Sequence, residues 1–213
     1  MKRSDHIRLL EVFAVALTGI GKFLFMDILN WRLPFILSAC LFWMAYIFYR
    51  YQKEPAILGY WGLTREGFGK TFWELLPVAL ISILSFVLIG EQLGTNILSW
   101  HILPILLVYP LWGIIQQFLI IGLIARNLQD MDRRKFSIWS IVLITAIIFA
   151  IVHYPFILLI IGTFLLAVVY TLLYLKGRNL LVLGIYHGWI GAFFFYTILY
   201  RDPWLEVFAM LSS

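Results

Sequence analysis

Between residues 106 and 125 the chain carries no charged side chain. A helix of about 20 apolar residues is about 30 Å long, which matches the hydrocarbon core of a bilayer. Other stretches are almost as apolar, and 63% of all residues are hydrophobic while only 13% are charged. Soluble domains contain about half apolar and about a quarter charged residues. The sequence therefore predicts an integral membrane protein.

The apolar stretches predict an all-α fold, a polytopic membrane helix bundle of about seven transmembrane helices. Two of these spans are separated only by the turn around Pro155, so they form either a tight hairpin or one broken element. No linker-like segment and no internal repeat divides the chain, which predicts a single integral membrane domain over residues 1–213. The expected spans are residues 9–29, 33–49, 71–93, 102–125, 138–153, 155–175 and 180–200.

The positions of lysine and arginine predict the orientation of these helices. With the N-terminus in the cytoplasm, thirteen of the sixteen Lys and Arg residues fall in cytoplasmic segments. Only Arg32 and Arg201 fall on the opposite side, and Lys22 lies within the first span. Cytoplasmic loops of membrane proteins are enriched in positive charge, so a cytoplasmic N-terminus is predicted, with a short amphipathic C-terminal segment at the outer interface. The formal charge of +5 then reflects topology, and a nucleic-acid partner is not expected.

Four polar side chains are predicted to lie deep in the membrane, where an unpaired polar group costs free energy. Gln116 and Gln117 lie near the middle of one apolar stretch, and His153 and His187 belong to two other spans. Three helices thus bring amides and imidazoles into the interior of the bundle. Each group alone is more often a structural hydrogen-bonding residue, but the four together predict a shared polar cavity.

The order of these residues resembles the motifs of the CPBP family, the CAAX proteases and bacteriocin-processing intramembrane peptidases, which includes the type II CAAX prenyl endopeptidases. The first family motif is a Glu-Glu pair, a few apolar residues, then Arg-Gly and a later Arg. The stretch "QQFLIIGLIARNL" places Gln116 and Gln117 on the two glutamates. Ile121 stands at the first arginine, Gly122 at the glycine and Arg126 at the later arginine.

The second and third motifs of the family fall in later spans. Phe-x-x-x-His is matched by Phe149 and His153. The histidine of His-x-x-x-Asn/Asp is matched by His187, whereas Gly191 stands at its last position. The resemblance covers about residues 57 to 195. It implies a peptidase-like site at these positions, and we expect the protein in the cytoplasmic membrane of a bacterium or an archaeon.

Four matched positions depart from the family pattern, namely Gln116, Gln117, Ile121 and Gly191. In the family the glutamate pair is thought to activate a water molecule, and an amide cannot accept the proton of that water. Three interpretations stay open. The chain could be a non-proteolytic relative that works by binding, the two glutamates could have been exchanged to trap an inactive form, or the cavity could support other chemistry.

The third interpretation requires a metal or a base from elsewhere in the chain. His153 and His187 could hold one divalent metal such as zinc together with a glutamine oxygen, although this ligand set is weaker than one with a carboxylate. Glu74 could then act as the base. The single Cys40 cannot form an internal disulfide or a cysteine metal site. Without a metal, either histidine could serve as the base of an acyl-transfer step in a lipoprotein-modifying system.

The resemblance also implies a class of partner. A lateral opening between spans would admit a lipidated or prenylated membrane protein, whose lipid chain stays in the bilayer while its head enters the cavity. Membrane lipids are the other expected partners. A pure scaffold would depend instead on loop cations such as Arg133, Arg134 and Lys135. A transporter is not indicated, because the spans show neither an inverted repeat nor a polar pathway.

Overall fold

The computed structural model describes residues 4–131, 135–177 and 179–208, and all regular secondary structure within them is helical. In these residues six helices are long and apolar enough to cross a membrane, and one further apolar helix is shorter. The predicted all-α membrane helix bundle is confirmed. Its orientation relative to the membrane stays a prediction. Arg133 and Arg134 of the expected loop surface lie outside the described residues.

Helical elements follow one another along the described chain with short connections. Two of the spans are composite, because an α-helix continues into a π-helical segment without interruption. In chain order the elements are α1 (Asp5–Gly21), π1 (Lys22–Ile28), α2 (Arg32–Lys53), α3 (Ile57–Trp61), α4 (Phe68–Leu93), α5 (Ile102–Gln117), π2 (Phe118–Ala125), α6 (Arg126–Gln129), α7 (Ile138–Ile151), α8 (Ile157–Gly177), α9 (Leu180–Thr197) and α10 (Pro203–Phe208).

The predicted spans occur in the right places, but several of their limits are wrong. The first begins at Asp5 and the fourth runs on to Gln129, because polar residues continue the backbone hydrogen bonding beyond the apolar stretch. Ser4 caps the first helix by accepting a hydrogen bond from the N–H of Ile7 at 3.5 Å. The fifth span ends early, at the end of α7. A turn over residues 152–156 then leads into α8, and the two helices pack together as a hairpin.

The core of the bundle surrounds π2, whose eight residues are all buried. Phe118 at its start packs edge-on against Trp61 of α3, with ring centroids 4.9 Å apart, and against Trp43 of α2. Helices α1, α7 and α8 also contact this segment. In contrast, the outer surfaces of α1, α2 and α4 expose many large apolar side chains. Exposed apolar surface on this scale is suited to lipid rather than to water.

Helices α5 and α9 pack backbone against backbone. A Cβ atom on Gly113 of α5 would lie 2.3 Å from the carbonyl oxygen of Gly184, and a Cβ on Gly188 would lie 2.6 Å from the nitrogen of Pro110. Only hydrogen fits at these positions. Small residues allow membrane helices to approach this closely. We name Gly113, Gly184 and Gly188 the glycine seam, and it sets the register in which α9 faces α5.

The start of α9 is held by one asparagine. Asn179 Oδ1 accepts a hydrogen bond from the N–H of Val182 at 3.1 Å, which caps the helix. Its Nδ2 donates to the carbonyl oxygens of Thr64 at 3.1 Å and of Glu66 at 2.8 Å, in the connection between α3 and α4. The helix that carries His187 is therefore anchored at its first turn.

Another buried polar cluster lies where α1 meets α2 and α6. The Glu11 carboxylate accepts hydrogen bonds from Nη1 of Arg50 at 3.2 Å and from Nδ2 of Asn127 at 2.7 Å, and Tyr46 donates to it as well. A buried carboxylate needs such partners, because an unpaired charge in the protein interior costs several kcal/mol, of the order of 3–5. Glu11 therefore serves the packing of the bundle.

Candidate functional site

A cavity of about 930 Å³ lies between the helices, and most of its lining is apolar. Three of the predicted site residues with polar side chains line it, namely Gln116 of α5, His187 of α9 and His153 from the turn after α7. Two further motif residues, Phe149 and Gly191, also line it. The structure therefore brings five of the predicted positions to one cavity.

Gln116 and His187 form a direct hydrogen bond. Oε1 of Gln116 lies 2.9 Å from Nε2 of His187. A carbonyl oxygen only accepts, so Nε2 of His187 carries the hydrogen and donates. The other ring nitrogen, Nδ1, is buried and has no hydrogen-bond partner among the described residues. The imidazole is thus a donor toward the glutamine.

Phe149 lies against both histidines. The Phe149 ring is edge-on to the imidazole of His153 at 4.9 Å between centroids and to that of His187 at 5.4 Å. Its carbonyl oxygen lies 2.7 Å from Nδ1 of His153. Because the carbonyl can only accept, Nδ1 of His153 is the protonated nitrogen and Nε2 carries a lone pair. The second motif thus sets the orientation of one imidazole and packs against the other.

Gln117 does not line the cavity, although it is adjacent to Gln116. Its side chain is 1% exposed, and neither amide atom has a hydrogen-bond partner in the described part of the chain. Neighbouring positions on a helix do not face the same way. Ile121, four positions later, is also fully buried. The family pattern has Glu and Arg at these two positions, at a spacing that lets opposite charges pair, and here both are uncharged.

Gly122 and Arg126 also lie away from the cavity. A Cβ on Gly122 would lie 3.0 Å from Cδ1 of Leu180, so the glycine serves close packing of π2 against α9. The Arg126 guanidinium lies 2.8 Å from Asp130 Oδ2 and 4.4 Å from the centroid of the Tyr60 ring. These two motif positions contribute to helix packing in the structure.

Glu74, which was predicted as a possible base, lies on the exposed surface of α4. Its side chain is 56% exposed on α4, with Oε1 3.8 Å from Nζ of Lys70, and it does not line the cavity. The structure therefore does not bring this carboxylate to the other predicted residues. Gly191 does line the cavity, and a Cβ atom there would meet no atom within 4 Å. The space beside Gly191 that the family's Asn or Asp side chain would fill is therefore open.

The residues of the cavity do not fit a zinc site of the usual kind. Zinc in proteins takes three or four protein ligands, mostly from Cys, His, Asp and Glu. No group of three such side chains comes together among the described residues. His153 and His187 are two, and the oxygen of Gln116 already accepts the hydrogen of His187. Metal binding by the two histidines stays a prediction that the donor set does not support.

Sequence reasoning assigned no site role to a set of charged residues that line the same cavity, which we name the charged rim. A signal was present, because Arg32 and Arg201 are the two cations predicted on the outer side. Their shared partner, Glu206, lies in the C-terminal segment, which was expected only to rest at the interface. The charged rim consists of Lys22, Asp27, Arg32, Arg201 and Glu206.

Asp202 holds α10 next to this rim. Its Oδ2 lies 2.6 Å from Nδ1 of His101, and its Oδ1 accepts hydrogen bonds from Tyr196 at 2.8 Å and from the N–H of Trp204 at 2.9 Å. Burial alone would raise the pKa of Asp202, but the hydrogen bonds outweigh it and hold the pKa below its usual value. The carboxylate therefore remains charged as the cap of α10.

The comparisons with known proteins relate this arrangement to one family. The model of the type II CAAX prenyl endopeptidase Rce1-like family matches residues 97–193. This segment runs from just before α5 almost to the end of α9, and it contains the cavity residues Gln116, His153 and His187. No curated protein and no solved structure matches the chain. The predicted resemblance is confirmed over residues 97–193, and the chain is an integral membrane protein with a segment similar to the type II CAAX prenyl endopeptidases.

Proposed function

We propose that this chain is a non-proteolytic member of its family, which binds the lipid chain of a lipidated or prenylated membrane protein in its cavity. The observation that carries the proposal is the hydrogen bond of Gln116 to His187, an amide where a water-activating carboxylate would stand. The only acidic residues among the described lining are Asp27 and Glu206, and both are ion-paired. We propose the cytoplasmic membrane of a bacterium or an archaeon as its location.

The chemistry of the Gln116–His187 pair argues against peptide hydrolysis. A base that activates water must accept a proton close to the reacting carbonyl. The amide of Gln116 accepts hydrogen bonds but no proton. The hydrogen bond to this amide also uses the hydrogen on Nε2 of His187. The pair therefore supplies hydrogen bonds to a bound group, which suits recognition.

The departures at Gln117 and Ile121 favour a natural relative over an exchange that was limited to the glutamates. Both side chains are buried, at 1% and 0% exposure. An unpaired charge at either site would cost several kcal/mol, of the order of 3–5. Loss of one partner of a buried ion pair thus favours loss of the other. An exchange made only to trap an inactive form would have left an arginine at 121.

The cavity suits an apolar chain with a polar head. Its volume of about 930 Å³ lies near the upper end of the range for ligand pockets, about 300–1,000 Å³. A lipid chain is already in an apolar medium in the bilayer, so its transfer into the cavity gains mainly packing. Specific binding then requires polar groups, and Gln116, His153 and His187 supply them within the apolar lining.

Filling the cavity tests the proposal. Gly191→Leu adds a side chain into open lining, and Gly69→Leu adds the same side chain at an exposed position of α4 with equal space. We expect a fluorescent S-farnesyl peptide to bind the full chain in neutral micelles, and the unmodified peptide to bind much more weakly. Gly191→Leu should weaken farnesyl-peptide binding at least about tenfold, or about 1.4 kcal/mol.

The control and a second readout complete this experiment. Gly69→Leu should leave binding unchanged, because its side chain points to no part of the cavity. Mass spectrometry of the same peptide after incubation should show it intact. Cleavage of the peptide would show a working peptidase and overturn the non-proteolytic assignment, and equal binding by both leucine variants would overturn the cavity as the binding site.

One observation favours acyl transfer on a lipoprotein as a second function. The hydrogen bond from Nδ1 of His153 to the Phe149 carbonyl leaves the lone pair on Nε2, as a general base requires. His153 would take the proton of an acceptor amine while the new amide C–N bond forms. The ester C–O bond of the donor lipid would then break, and the proton would pass to the leaving alcohol. Acylated peptide that forms with wild type and with Gly69→Leu, but not with His153→Ala, would establish this function.

A further inference from the structure

Two arginines of the charged rim share one carboxylate. Nε and Nη2 of Arg201 donate to the two oxygens of Glu206 at 2.6 and 2.5 Å, and Nη1 of Arg32 donates to the same carboxylate at 2.8 Å. The Arg201 guanidinium also lies over the rings of Phe156 and Phe195, at 4.3 and 5.2 Å from their centroids. Both guanidinium groups are thus held side by side in fixed positions.

The rim carries more positive than negative charge. Nζ of Lys22 lies 2.7 Å from Asp27 Oδ2, so that pair is balanced. Among the described residues, Glu206 is the one carboxylate that pairs with both Arg32 and Arg201. Within the described part of the chain, Nε and Nη2 of Arg32 and Nη1 of Arg201 have no acceptor. A guanidinium matches phosphate in shape and charge.

The rim is continuous with the interior of the cavity. Nζ of Lys22 lies 3.4 Å from the carbonyl oxygen of Tyr154, and Arg201 stacks on Phe156. The turn between α7 and α8 therefore joins both halves of the rim, and it also carries His153. Val207 and Phe208 of α10 line the cavity next to Glu206. A head group on the rim would have an apolar space directly beside it.

We infer that the cavity binds an amphiphile with a phosphate head group, which Arg32 and Arg201 hold at the charged rim while its apolar chain occupies the cavity. The phosphate would supply the missing negative charge and accept the free guanidinium hydrogens. This inference names a ligand class beyond lipidated proteins. It rests on the proposed function, because the chain would occupy the same apolar space.

Equilibrium binding of radiolabelled farnesyl phosphate and of radiolabelled farnesol tests the inference, because the two ligands share one apolar chain. The full chain is used in neutral dodecyl maltoside micelles. We expect the phosphate to bind at least about tenfold more tightly than the alcohol, since hydrogen bonds to a charged group are worth about that factor or more. Inorganic phosphate at the same concentration should not displace farnesyl phosphate.

Three single-charge variants locate the preference. Arg32→Gln and Arg201→Gln should each reduce the preference for the phosphate severalfold. Glu206→Gln should increase it, because the competing carboxylate charge is gone, and a variant that failed to fold could not bind more tightly. Lys70→Gln removes a positive charge from an exposed position of α4 that does not line the cavity, and it should change nothing.

Each contrary outcome overturns a defined statement. Equal binding of farnesyl phosphate and farnesol would overturn the head-group inference and leave the proposed cavity function intact. Binding of neither ligand would overturn both. Displacement by inorganic phosphate at equal concentration would show a site for free phosphate and overturn the lipid ligand. A preference that Lys70→Gln lowers as much as Arg201→Gln would show attraction to overall charge rather than to the rim.

Discussion

His187 donates a hydrogen bond from Nε2 to Oε1 of Gln116 at 2.9 Å. The two residues are 71 positions apart in the sequence and belong to α9 and α5. The glycine seam lies on the same pair of helices and brings their backbones into contact. The bond is therefore made between two rigid supports. It joins two polar residues of the cavity lining, and it contrasts with the neighbouring Gln117, which has no partner in the described residues.

This contrast predicts different outcomes for the same substitution at adjacent positions. Gln116→Glu should change the free energy of unfolding by less than about 1 kcal/mol, because the carboxylate lines the cavity and can accept the hydrogen of His187. Gln117→Glu should destabilise the protein by about 3 kcal/mol or more, because it buries an unpaired charge. Unfolding by SDS in mixed micelles at pH 8 measures both. Equal losses would contradict the distinct environments of the two amides.

Ile121 provides a second test of the site around Gln117. If the family's Glu and Arg pair across this turn, Ile121→Arg should destabilise alone but should partly rescue Gln117→Glu. We expect a favourable coupling free energy of about 1–3 kcal/mol from the double-mutant cycle. Strict additivity of the two changes would show that the positions do not interact.

The glycine seam gives a prediction with an internal control on α9. Gly184→Ala should destabilise by several kcal/mol, about 2–4, because its Cβ would lie 2.4 Å from Cα of Ile114 and the helices would have to separate. Gly191→Ala meets no atom within 4 Å and should be neutral or should stabilise by up to about 1 kcal/mol through helix propensity. The midpoint of thermal unfolding in detergent distinguishes them. A loss of stability in Gly191→Ala would contradict the open space at that position.

Asp202 predicts a dependence of stability on pH. Its pKa is lower in the folded protein than in the unfolded chain, so it stabilises the fold at pH values well above about 4. That contribution is lost as the pH falls through the lowered folded-state pKa. Wild type should therefore unfold at a higher temperature than Asp202→Asn at pH 7, and the difference should shrink as the pH falls below about 4, the usual pKa of an aspartate. An unchanged difference between pH 7 and pH 3 would assign the effect to hydrogen bonding rather than to charge.

Metal content is predicted by the donor set of the cavity. The two imidazoles of His153 and His187, with an amide that is already engaged, should retain far less than one equivalent of zinc on purification. Elemental mass spectrometry of wild type and of the double alanine variant measures this. One equivalent of zinc that disappears in the variant would contradict the expectation and would reopen metal-assisted chemistry at the histidines.

The sequence predicted the class of fold and the family resemblance because these depend on local and ordered features. Apolar stretches of about 20 residues identify membrane helices one at a time. The order of the motifs indicates the resemblance, whichever way the side chains point in the fold. The placement of Gln116 and His187 in one cavity also agrees with that order, although their role stays a prediction.

The arrangement of the remaining residues depends on packing that has no sequence period. Gln116 and Gln117 are indistinguishable in the sequence, and only the packing of π2 decides which of them meets the cavity. Arg32 and Glu206 form an ion pair across 174 positions. This ion pair depends on where α10 packs against the bundle. Glu74 is similar, because its exposed face of α4 is set by neighbours far along the chain.

The glycine seam separates what holds the chain together from what the chain does. Its three residues have no side chains to take part in a reaction, and none of them is one of the motif residues that line the cavity. Related proteins can therefore exchange the reactive groups of the site and still keep the same cavity.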